Sequence, residues 1–229
     1  MTVTLYRKVP NCKPMDLVKR DNNNLPAVRQ TLALRKAQAG TADFVPHLRI
    51  DEVQQLAREA EASARTGKGE RDALLIQTIF DGCFRVSEAV SLRPDSLVQT
   101  KDGWAARIVA KGRKAAEVAI SPSLAARLQS YAYRNGIEPD ERLFPVSSTR
   151  VWQIVDRAFH AAGIRKPEHV GTVHVLRHSG ALARLTATGN PKAVQDQLRH
   201  KEAKMTLRYL KTLSSLESLR IQQGVDFNW

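Results

Sequence analysis

In HVLRH, residues 174–178, a histidine and an arginine stand at i and i+3, so a helix there puts His174 and Arg177 on one face, a turn apart. Such a pair can converge on a phosphate, because guanidinium offers a planar fork of donors and imidazole adds a donor or takes a proton. On its own, the spacing is met more often on an ordinary solvated helix. FRVSEAVSL, residues 84–92, repeats it with Arg85 and Glu88 among Phe84, Val86, Ala89, Val90 and Leu92. An arginine in so apolar a stretch has to be paired, since burying it bare is costly. Glu88 is the partner at hand, either in a structural ion pair or to aim Arg85 at a ligand's anion. Lys111 lies in AKGRK, residues 110–114, where a turn would let it reach into a groove or merely keep the turn soluble. In QLRHKEAKMTLRYL, residues 197–210, His200 can donate to a phosphate oxygen. Tyr209 follows nine residues later with a phenol, a nucleophile that is weak at its ordinary pKa of about 10 and needs cations nearby. The plainer alternative is a ring that completes an apolar helix face.

Most of the elements that would carry these residues read as helices. IDEVQQLAREAEASA opens on Asp51 as a candidate cap, and Gly67-Lys68-Gly69 closes it. RDALLIQTIFDG predicts a more buried helix, and FRVSEAVSL a short one ended near Pro94. The turn Lys101-Asp102-Gly103 leads into WAARIVA, then KGRK, then AAEVAIS, which predicts a small antiparallel sheet. Helices resume in SPSLAARLQSYAYRNG and in STRVWQIVDRAFHAAGI, whose Val151, Ile154, Val155, Ala158, Phe159 and Ala162 share a face. A helix over about 174–189 follows, and another begins at Asn190-Pro191, cap then first-turn proline. The fold class is mainly α with a small antiparallel β-sheet.

Charge points to a partner. The 229 residues hold 36 Lys+Arg against 23 Asp+Glu, a net +13, with a pI near 10.1. Neutralising phosphates releases condensed counterions, so a polyanion is the leading inference, beside an ordinary basic surface. A hydrophobic fraction of 42% supports a core, while a mean hydropathy of -0.36 and frequent charges leave no membrane-crossing run. The start MTVTLYRKVPNCKP has no apolar signal-peptide core, and Cys12 and Cys83 make neither a disulfide framework nor a metal-ligand pattern. Both facts lead to the expectation of a cytoplasmic protein with reduced thiols. Residues 1–40 carry Arg7, Lys8, Lys13, Lys19, Arg20, Arg29, Arg35 and Lys36 against Asp16 and Asp21 alone. With Pro10, Pro14 and Pro26, the first part reads as an extended basic arm, followed by a helix in LPAVRQTLALRKAQ.

The order of these candidate residues is more telling than any one of them. Arg85 with Glu88, then Lys111, then His174 and Arg177, then His200 and Tyr209 resembles the tyrosine recombinase (phage integrase) family over about residues 44–215. RDALLIQTIFDGCFRVSEAVSLRPDSL is similar to that family's first arginine box, with Asp81-Gly82 where Thr-Gly is usual, and VHVLRHSGALARL is similar to its second. The resemblance implies the family's catalytic-domain fold at 44–211, after a basic arm at 1–43 and before a tail at 212–229. It implies DNA recombination or integration of the kind mobile genetic elements use, with no cofactor and no metal. Tyr209 would attack a DNA phosphate to give a 3′-phosphotyrosine, Arg85 and Arg177 would clamp the phosphate, and Lys111 would protonate the leaving oxygen. His174 would act as acid, base or donor, and His200 as a further donor; Glu88 would orient Arg85 and His178 would be structural support.

Implied partners are double-stranded DNA, further copies of the chain in a tetrameric synapse, and accessory DNA-bending proteins, without a membrane; bound to DNA, the protein would be nucleoid-associated. Integration, excision, inversion and resolution all fit this chemistry. Two departures stand out. Leu198-Arg199-His200 replaces the usual Leu-Gly-His, which questions the local backbone and offers another phosphate contact. A basic stretch of about forty residues stands where the family commonly has a helical DNA-clamping domain, as in the short recombinases of the fimbrial-inversion type. The alternatives are type IB topoisomerase-like nicking and closing, a non-catalytic DNA-binding regulator of the same fold, and an RNA-binding protein, the last without aromatic stacking motifs. In the tail, Leu210, Leu213, Leu216 and Leu219 fall three apart and would pack either within the chain or on a neighbouring protomer.

Overall fold

Apolar side chains at helical spacing account for most of what the structure, a computed structural model, contains. It describes residues 45–62, 68–110, 114–200 and 202–213. Helix α1 (Ile50–Ala62) buries Val53, Leu56, Ala57 and Ala60 along one stripe. Asp51 is not its cap: the Glu52 carboxylate accepts the Arg49 backbone N–H at 2.7 Å, and Asp51 stays in the first turn beside the Arg49 guanidinium. Helix α2 (Gly69–Asp81) is apolar on most faces and forms the centre of the core, with Ala73, Leu74, Leu75, Ile76 and Ile79 fully buried.

The short helix expected in FRVSEAVSL is one turn, α3 (Val86–Ala89), and ends well before Pro94, which opens a 3-10 turn over Pro94–Ser96. The expected hairpin is present as β2 (Gly103–Ala110) and β3 (Lys114–Ala119), antiparallel with Ala106 opposite Val118. A third strand, β1 (Leu97–Thr100), pairs antiparallel with β2 across the Lys101-Asp102-Gly103 turn and gives the order β1-β2-β3.

Helices α4 (Pro122–Arg134) and α5 (Ser148–Ala162) start at Ser121 and Ser147, whose hydroxyls accept the N–H groups of Leu124 and Arg150. The α5 face read from the sequence is buried at Val151, Ile154, Val155, Ala158 and Phe159, and Ala162 is half-buried. Helix α6 (His174–Thr188) ends at Gly189, and α7 (Pro191–Leu198) begins where the Asn190 side chain accepts the Ala193 N–H at 3.1 Å. Helix α8 (Ala203–Thr212) carries Tyr209. The expected N-terminal arm and helix, Lys111, and Leu216 and Leu219 of the tail lie outside the described residues.

Two buried clusters result. The larger joins α1, α2, α4, α5, the sheet and the start of α6; the smaller gathers Val45, Cys83, Ala181, Leu182, Leu185, Val194, Leu198 and Tyr209. The second cluster fixes α7 and α8 on α6 and so fixes everything that those helices carry. Helices α2 and α6 meet at Gly180, where an added Cβ would lie 1.9 Å from the Phe80 carbonyl oxygen. Gly180→Ala should therefore push the two helices apart and destabilise by about 1–3 kcal/mol, read as a lower urea midpoint.

Candidate active site

A buried carboxylate organises the site. Arg85 is the N-terminal cap of α3, and Glu88, three residues on, reaches back to it. The Glu88 carboxylate accepts the Arg85 backbone N–H at 2.7 Å and Arg85 Nη1 at 2.9 Å, and its side chain is 3% exposed. Arg199 Nη2 donates to the same carboxylate at 2.5 Å, and Arg177 Nη1 lies 3.9 Å from it. Three guanidiniums thus surround one carboxylate, and three positive charges less one leave a net +2. Excess positive charge in a partly enclosed place is an anion site.

Arg177 is the most enclosed of the three. It reaches from α6 to two backbone carbonyls, bonding Cys83 through Nη1 and Leu198 through Nη2, the latter at 2.7 Å. Both oxygens need such a donor. Leu198 is the last residue of α7, whose final carbonyls lack helical partners and sit at the negative end of its dipole, while Cys83 lies in a turn at φ 50°. Burial, then the charges of Arg85 and Arg199, lower the Arg177 guanidinium to about 10, which leaves it a cation at neutral pH.

The imidazoles and the phenol form the other wall. His174 and His178, at i and i+4 of α6, place their rings edge to face with centroids 4.4 Å apart. His178 Nδ1 lies 2.6 Å from the Tyr209 hydroxyl, and the His200 ring stands 6.1 Å from the Tyr209 ring, centroid to centroid. The Thr206 hydroxyl is 3.4 Å from His200 Nδ1. Tyr209 is 3% exposed, and burial pushes its phenol up to about 12 against the lowering effect of Arg177. Burial foremost, then the neighbouring rings and guanidiniums, brings His178 down to about 3 and His200 to about 4; His174 is lowered by burial, Arg177 and Arg85. At neutral pH the phenol is protonated and the rings are neutral, and the phenol hydroxyl and His178 Nδ1 share one hydrogen bond.

Those ring environments make stability depend on pH. Histidines in the unfolded chain titrate near 6.5, whereas His178 and His200 resist protonation in the fold down to about 3 and about 4. Below about pH 6.5 the unfolded state binds protons that the folded state refuses, so stability is full above that pH and falls towards pH 4. The thermal midpoint should drop across this window, and His178→Gln should flatten the drop.

The structure brings Arg85, Glu88, His174, Arg177, His178, His200 and Tyr209 together; Lys111 is outside the described residues. Three partnerships were not foreseen. Arg199 goes to Glu88 and, through Nη1, to the Gln197 carbonyl at 2.8 Å, and not outward to an open phosphate position. Its backbone is left-handed, φ 56° and ψ 42°, a conformation that costs a non-glycine residue about 1–2 kcal/mol. His178 holds the tyrosine hydroxyl, which the i, i+4 spacing from His174 could have suggested. Arg184 donates to the Asp81 carbonyl and carboxylate, tying α6 to the end of α2 just before Cys83, and nothing in the sequence spacing announces that contact. Among the described residues no group of three or more His, Cys, Asp or Glu is placed to hold a metal ion, and no helix is long and apolar enough to cross a membrane.

The fold is that of a recombinase catalytic domain. XerH site-specific recombinase, solved bound to difH substrate in a pre-cleavage complex, superposes with a TM-score of 0.61 at 19% identity, over 77% of this chain and 52% of that one. Residues 46–215 match the phage integrase family, and the chain belongs to that family. The tyrosine recombinase of Pseudothermotoga lettingae is 31% identical over 147 residues, 62% of this chain and 50% of that protein. Tyrosine recombinase XerD of Bifidobacterium longum is 30% identical over 201 residues, 80% of this chain and 63% of that protein. The chain thus spans about half to two thirds of the length of these curated relatives.

Proposed function

We propose that this chain is a site-specific DNA recombinase that cuts and rejoins strands through a tyrosine-linked intermediate. The observation that carries this reading is the buried phenol of Tyr209 beside the net positive cluster of Arg85, Arg177 and Arg199 on Glu88. Cations placed where a phosphate gains charge stabilise its transition state without reorganising. The Tyr209 oxygen bonds to phosphorus as the bond to the 5′-oxygen breaks, which yields a 3′-phosphotyrosine and a 5′-hydroxyl. The phenol's proton passes to His174, which then holds it as a donor to the phosphate, and Lys111 supplies one to the leaving oxygen. Arg85 and Arg177 hold the non-bridging oxygens, with His174 and His200 as further donors. Because the phosphodiester energy stays in the covalent link, a 5′-hydroxyl from a second duplex reverses the step and exchanges strands. Tyr209 is too enclosed to meet DNA as it stands, so the attack requires α8 to shift on the second cluster.

Within this reading, residues 44–211 are the catalytic domain, 1–43 a basic arm on the phosphate backbone, and 212–229 a tail that docks on a neighbouring protomer in a tetrameric synapse. The partner is double-stranded DNA, with accessory DNA-bending proteins, and the setting is the cytoplasm at the nucleoid. Transfer of a strand between two duplexes is the expected activity; relaxation of one supercoiled circle with no transfer would replace this reading by a topoisomerase-like one. Removing residues 1–43 should weaken binding to every DNA sequence alike and flatten its salt dependence, because the eight Lys and Arg of the arm would no longer release counterions.

A further inference from the structure

Arg199 counts in the positive cluster but has no assigned contact with the phosphate, and its geometry is unusual in three independent ways. Its backbone sits in the left-handed region at φ 56°, where a residue without a side chain would rest more easily. Its side chain is 12% exposed, and its guanidinium is held in place by the Glu88 carboxylate at 2.5 Å and the Gln197 carbonyl at 2.8 Å. Its Nε is buried with no hydrogen-bond partner. Nη1 bonds the Gln197 carbonyl at the end of α7, beside the Leu198 carbonyl that Arg177 takes, but closing that end leaves Nη2 unexplained. What Arg199 reaches is the one carboxylate that holds Arg85.

We infer that Arg199 is a positioning residue of the phosphate site, acting through Glu88 to hold the carboxylate fixed and to offset its charge. Without Arg199 the cluster would hold two guanidiniums and one carboxylate, a net +1; with it the net is +2. A phosphodiester carries one negative charge and gains more as the nucleophile adds, so the extra charge favours the transition state over the ground state. Arg85 bonds Glu88 through Nη1 and remains 39% exposed, which keeps the rest of its fork available to a ligand. The same charge stands beside His200, which also faces Arg177 and His174 from α6, Arg85 from the start of α3, and Thr206 and Tyr209 from α8. This role rests on the phosphotyrosine reading for its consequence in catalysis, but the charge coupling itself can be measured in the protein alone.

The test uses the full chain with Arg199→Gly and Arg199→Lys. In the free protein, the His200 ring is titrated by NMR, and thermal midpoints establish that each variant is folded. Arg199→Gly should raise the His200 pKa by about one unit, and Arg199→Lys should hold it near the wild-type value because the charge is kept. On a DNA fragment that the wild type attaches to covalently, Arg199→Gly should slow attachment about tenfold at temperatures where it is fully folded, and lysine should restore part of the rate. An unmoved His200 together with a wild-type attachment rate in Arg199→Gly would overturn the inference and leave the recombinase reading intact. A wild type that attaches to no DNA would overturn that reading instead, and the His200 titration alone would then decide for or against the coupling by Arg199.

Discussion

Tyr209→Phe should abolish covalent attachment to DNA while the protein stays folded and still binds. The ring is retained, and with it the packing against Val45, Ala181, Leu182, Leu185, Val194 and Leu198. Only the oxygen is lost, together with its hydrogen bond to His178 Nδ1, a change of about 1 kcal/mol in stability. The loss of the nucleophile is far larger, about 10⁴-fold or more in cleavage rate, since no other group can take its place in the covalent step. Denaturing gels would show the missing adduct, and fluorescence anisotropy the retained binding. Adducts that persist in the phenylalanine variant would mean that another residue attacks.

The two arginines of the clamp should separate in the same assays. Arg177→Ala orphans the carbonyls of Cys83 and Leu198 and takes a cation from beside buried Glu88, and it should destabilise by about 3–5 kcal/mol. Arg85→Ala removes a side chain that is 39% exposed, and its effect on stability should stay near 1 kcal/mol. On the proposed mechanism, in which each donates to charge that develops on the phosphate, both should slow cleavage by about 10²–10³-fold or more. Arg177→Lys is no rescue, as an ammonium cannot span two carbonyls in different directions. Urea unfolding set beside single-turnover cleavage would show one arginine needed for both fold and chemistry, and the other for chemistry alone. Equal stability losses in the two alanine variants would count against this division.

Much of this was legible because local chemistry repeats in the fold. Asn190-Pro191 announced the start of α7, and the apolar face of α5 lay where its spacing put it. The strand β1 escaped notice because its four residues, LVQT, are too few for alternation to show, although the Lys101-Asp102-Gly103 turn implied a strand on either side. The cap of α1 was misread because aspartate favours that position in general, and the reach of Glu52 to Arg49 decided it here. Within the site, Arg85–Glu88 was visible as an i, i+3 pair. Arg199–Glu88 spans 111 residues and depends on a left-handed turn that no spacing rule foretells, and His178–Tyr209 needs α8 folded back over α6.

The central claim is that the Tyr209 oxygen becomes bonded to a DNA phosphate. It is tested most directly by mixing the wild-type protein with genomic fragments, trapping the complex under denaturing conditions, and digesting it for mass spectrometry while the attached DNA is sequenced. The account requires a nucleotide joined through its 3′-phosphate to the peptide that contains Tyr209, with the DNA ends clustering at one sequence. A phosphate joined to any other residue, or no attached DNA at all, would contradict it.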